Sequence, residues 1–158
     1  MTDFADAFKR GQEAAARAAR ARAEVDQVIA DVRQSLLNET NGSIEIGEQE
    51  FEKPRKRTLA DQFVGSIALL NTLTTAETEL WLAARNPLAV DKTWKKLAKF
   101  ERPHEGYPCV VSYDNNDVRC HDRSAFEDAI AELLASSWGG EVLFGLLSRP
   151  AKSQDAAD

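Results

Sequence analysis

A chain of 158 residues with 43% hydrophobic content amounts to one domain with one modest core. Its 26 acidic and 20 basic side chains leave a net charge of −6, which excludes indiscriminate binding to a polyanion, and no apolar run approaches the roughly 18 residues of a membrane span. The amphipathic start MTDFADAFKRG has neither the apolar core nor the cleavage site of a signal peptide, and two cysteines are too few for a disulfide framework, so a cytoplasmic setting with reduced thiols is expected.

Residues 3–37 read as one long helix, because Phe4, Phe8, Gly11, Ala15, Ala18, Val25, Ile29, Val32 and Leu36 recur in alternating steps of four and three, with Arg22 as the exception. A continuous helix of this length runs about 50 Å, more than a core of this size needs, so part of it is expected to project or to pack on a partner, a second copy included. Arg10, Arg17, Arg20 and Arg33 fall on its outer positions. Asn41-Gly42 tolerates positive φ and stops the helix.

SIEIGEQEFEK alternates apolar and acidic residues and predicts two short strands bent at Gly47 and closed by Pro54. TLADQFVGSIALLNTL predicts a helix from Thr58, since Leu59, Phe63, Ile67 and Leu70 are helically spaced, although the apolar cluster also suits a buried strand. TTAETELWLAAR predicts a second helix, with a capping box of Thr74 and Glu77, a buried side of Leu80, Trp81 and Ala84, and an end at Asn86-Pro87. DKTWKKLAKFE predicts a short basic helix with Trp94, Leu97 and Ala98 on one side. The turn-rich RPHEGYP reads as a subdomain boundary.

Beyond it, YPCVVSY and VRCHD flank DNND as a β-hairpin, with Asn115-Asn116 as the turn and Val111 facing Cys120. Ser124 and Glu127 form a capping box for a helix whose stripe of Phe126, Ile130, Leu133 and Leu134 lies across the hairpin. WGGEVLFGLL adds a glycine break and a short apolar helix. The expected architecture is α+β: a projecting or partner-packed helix at 3–37, a small α+β domain at 43–148, and a disordered tail at 149–158.

The residues that could carry chemistry are few. Cys109, Cys120 and His121 fall short of a zinc site, because His121 follows Cys120 directly and points to the opposite face of a strand, and no C-x-x-C knuckle is present. The same spacing gives no cysteine nucleophile an adjacent base, so buried core thiols are the expected role. The glycine-containing stretches lack the Lys-Ser/Thr ending of a phosphate loop, and Glu48 and Glu50 have no apolar pocket to raise a carboxyl pKa. No enzyme, metal or cofactor is expected.

Charge segregation points instead to binding. Acid collects at Glu45, Glu48, Glu50 and Glu52, and near the hairpin at Asp114, Asp117 and Asp122, as an acidic inhibitor that mimics nucleic acid requires. Base collects at Lys53, Arg55, Lys56 and Arg57, with Trp94 and Lys95 as a second patch suited to phosphate contact. The expectation is a non-enzymatic interaction protein whose partner is another protein or complex. The Ala- and Arg-rich composition fits GC-rich bacterial or phage coding, so the roles expected are a phage structural or accessory component, an inhibitor of a defence complex, or a toxin-immunity protein. The alternative is a nucleic-acid accessory protein using the basic run at 53–57.

Overall fold

A computed structural model of the chain describes residues 1–54 and 77–152. Among them are a 36-residue helix α1 (Phe4–Glu39), strands β1 (Glu45–Glu52), β2 (Thr78–Arg85), β3 (Lys95–Glu101), β4 (Cys109–Tyr113) and β5 (Asn116–Cys120), and helices α2 (Arg123–Ala135) and α3 (Ser137–Leu147). The strands form one antiparallel sheet in chain order, β1-β2-β3-β4-β5. The chain is therefore mixed α+β, with the three described helices packed on one face of a meander.

Helix α1 begins at Asp3, whose carboxylate accepts from the backbone N–H groups of Ala5 and Asp6, both at 3.1 Å. It ends at Asn41 with φ 53° and Gly42 with φ 87°, where the Gly42 N–H reaches back to the Leu37 carbonyl at 2.8 Å. At 1.5 Å per residue it is about 54 Å long. Only its second half meets the body: Val25, Val28 and Ile29 are buried with the sheet, whereas residues 1–17 are all exposed.

The core lies between this half of α1, helices α2 and α3, and the inner face of the sheet. Ile46, Leu82, Ala84, Ala98, Phe100, Cys109, Val111 and Cys120 meet Phe126, Ala129, Ile130, Leu133 and Leu146 there. The Phe100 and Phe126 rings stack with centroids 5.3 Å apart and planes 4° apart. Asn86 is the one buried polar side chain among the described residues, and it is satisfied: its amide donates to the Leu146 carbonyl at 2.9 Å and its oxygen accepts from the Leu88 N–H at 3.0 Å.

Several local expectations change. Of the segments expected as helices at 74–85 and 91–101, Thr78–Arg85 and Lys95–Glu101 are strands β2 and β3, residues 74–76 lie outside the described residues, and the 43–53 segment holds one strand, with Gly47 inside its eight-residue ladder to β2 rather than at a bend. Leu80, Leu82 and Ala84 alternate with Glu79, Trp81, Ala83 and Arg85, and pairing along the whole of β1 outweighs a local capping signal. Along the β2–β3 pair the register shifts between Leu82 and Ala83 of β2, whose partners in β3 are Ala98 and Lys96. This β-bulge leaves Leu97 extra and buries it beside Ala98.

The hairpin turn sits one residue earlier than expected, on Asp114 (φ 49°) and Asn115 (φ 62°), so Val111 opposes Val118 and Cys109 opposes Cys120 directly. Helix α2 is capped by Asp122, not Ser124, through a 2.8 Å bond from the Ala125 N–H. Ser136 separates α2 from α3, which bend by 64°, and Gly139-Gly140 lies inside the first turn of α3 instead of breaking it.

Loop 102–108 joins two paired strands and clasps α1: Arg22 donates to the His104 carbonyl, the Tyr107 hydroxyl donates to Glu24 at 2.7 Å, and Arg102 pairs with Asp26 at 2.8 Å. Arg22 interrupts the apolar stripe because this loop lies over it. At the far end, the expected disordered tail begins at 149, yet residues 149–152 are tied to the 88–93 segment, with Val90 N–H on Pro150 and Lys152 N–H on Leu88. The helix expected from Thr58 and the last six residues lie outside the described residues.

Candidate interaction surface

The exposed half of α1 is the clearest surface feature. Phe4 is 79% exposed and Phe8 67% exposed, on the same side as Gly11 and Ala15, and Ala18 is the first stripe residue that the body covers. Two aromatic rings held in solvent on a capped helix each forgo roughly 1.5–3 kcal/mol of burial. Numbered as heptads, the seam positions are Phe4, Phe8, Gly11 and Ala15, and the positions flanking them are Ala5, Ala7, Gln12, Ala14 and Ala19. Every charge on this half, from Asp3 through Asp6, Lys9, Arg10, Glu13, Arg17 and Arg20, falls on the remaining, outer side. Of these, Arg10 and Asp6 pair with each other at 2.9 Å.

The acidic residues expected at 45–52 do not form one edge. Glu45 and Glu48 alternate between the two faces of β1. Glu45 is bonded to Arg85 at 3.0 Å, and Glu48 to Arg102 at 2.7 Å. Glu50 remains exposed, with the Thr78 hydroxyl at 3.5 Å. Asp114 belongs to the hairpin turn, Asp117 is exposed on β5, and Asp122 caps α2. Since β1 and β5 are opposite edges of a five-stranded sheet, four strand spacings or about 19 Å separate the two acidic groups.

The basic groups are likewise dispersed. Lys53 pairs with Glu77 at 3.7 Å, and Arg55, Lys56 and Arg57 lie outside the described residues. Arg33 is not an outer solvating residue: it reaches over the edge of the sheet and donates from Nε to the Ile46 carbonyl at 2.9 Å, covering part of the edge strand. Trp94 is half-buried under the Arg85 guanidinium, 4.7 Å from its ring centroid, and against Gly47, where an added Cβ would meet the ring at 3.4 Å.

That contact belongs to a cluster the sequence reading missed. On the sheet face away from the described helices, the Lys96 ammonium lies 4.7 Å from the Trp81 ring centroid and 5.2 Å from that of Phe51. Glu79 accepts from the Trp81 indole at 3.0 Å and from Lys99, and these donors hold its carboxyl below the usual carboxylate range. The signal was the alternation Glu79, Trp81, Ala83, Arg85, which becomes legible once β2 is read with period two. The rings already carry the chain's own cations, so the cluster fastens the outer face.

The thiols are placed for packing. Both are fully buried, burial pushes Cys109 up to about 12, and burial also raises Cys120, so neither is a thiolate at neutral pH. His121 is exposed on the far side of the strand end, and no group of three or more metal-ligating side chains converges among the described residues. Nor is any single described helix long and apolar enough to cross a membrane. Comparison with protein-family models, with curated proteins and with solved structures finds no match for this chain.

Proposed function

We propose that this chain is a non-enzymatic interaction protein that works by laying the first half of α1 on the surface of another macromolecule. The observation that carries the reading is the uncovered aromatic pair: Phe4 and Phe8 stand in solvent on a helix whose apolar stripe packs on the body only from Ala18 onward. Apolar residues on a projecting, uncharged helix face serve as anchors for a groove or for another helix. A phage structural or accessory component, an inhibitor of a defence complex and a toxin-immunity protein all act by such surface occupancy, and each remains within the proposal.

The test is local. A photo-crosslinking amino acid placed at Phe8 of the full chain is expected to capture a macromolecule under native conditions, and the same probe at exposed Asp128 on α2 is expected not to. Equal capture from both positions, or none from either, sinks the reading.

A further inference from the structure

We draw no further inference here: the strongest candidate, the exposed apolar side chains of Phe144 and Leu147 on α3 and of Leu88 and Val90 in the loop hydrogen-bonded to residues 150–152, is an unpartnered surface that carries nothing, because nothing in the structure shows what covers it.

Discussion

Gly106 has φ +88°, and a Cβ there would meet the Ala21 Cβ at 2.5 Å and backbone atoms of Ala21 and Arg22 at 2.9 Å. Gly42, with φ +87°, has only the Leu88 Cδ1 within reach, at 3.7 Å. Both substitutions to alanine strain the backbone, which costs about 1 kcal/mol, but only Gly106→Ala also pushes the 102–108 loop off α1. Urea unfolding should show Gly106→Ala losing at least about 1–2 kcal/mol more than Gly42→Ala, and equal losses would mean the loop yields freely. The paired thiols make a second prediction at this scale. Burial raises Cys109 from 9.0 to about 12 and raises Cys120 as well, so above pH 9 the folded chain keeps protons that the unfolded chain releases. Stability is then fully present below about pH 9 and falls as pH climbs from there toward 12, by up to about 1.4 kcal/mol per pH unit for each thiol. Urea midpoints at pH 8 and pH 10.5 check the sign, and Cys109→Ala should flatten the slope.

Helix α2 is the element on which the carboxy-terminal half rests, since Phe126, Ala129, Ile130 and Leu133 all face the sheet. Leu133 is fully buried, and Leu133→Ala should cost about 2–5 kcal/mol by lost burial and an unfilled cavity, measured as a shift in the urea midpoint without change in slope. The contrast with β3 shows why some elements were legible and others not. In α2 the apolar residues recur at helical spacing and their burial follows that spacing. In β3 the bulge puts Leu97 and Ala98 on the same side, and with Trp94 three residues earlier the pattern imitates one turn of helix. In β2, Leu80 and Ala84 satisfy a period of two and a spacing of four equally well, so the deciding fact is the ladder with β1, which no window on β2 contains.

Across the whole molecule, stability and exposure divide α1 into two parts. The second half is fixed by Arg102, which pairs with Asp26 at 2.8 Å and Glu48 at 2.7 Å and donates to the Arg22 carbonyl at 3.2 Å, so one guanidinium joins helix, edge strand and loop. The first half has no such tie, and its local opening requires no core to unfold. Brief trypsin treatment of the Phe8→Asp chain should therefore cut after Arg10 and Arg17 before Lys99, as mass spectrometry of the fragments would reveal. Cleavage at Lys99 first would mean the sheet opens more readily than the helix. Phe8→Ser should change the unfolding free energy of the chain, read by urea titration at low protein concentration, by less than about 0.5 kcal/mol, because the ring contributes nothing to the core it projects from.

The long helix, its stop at Asn41-Gly42, the carboxy-terminal hairpin and the apolar stripe of α2 were written in the sequence, because each depends on interactions within a few residues: a cap, a positive φ, a short repeat. The identity of β2 and β3 depended on partners up to 40 positions away, as in Glu45 with Arg85, and the sheet overrode local helix signals there. The one-residue shift of the hairpin turn was enough to move Cys109 opposite Cys120, since strand pairing changes partners with every step. The sequence showed charge clusters, but only the order of the strands placed the two acidic groups on opposite edges and turned Glu45 and Glu48 into internal partners of arginine. It showed a stripe along α1 as well. Which half of that stripe the body would cover was decided by where loop 102–108 comes to rest on the helix, a long-range contact that leaves Phe4 and Phe8 in solvent.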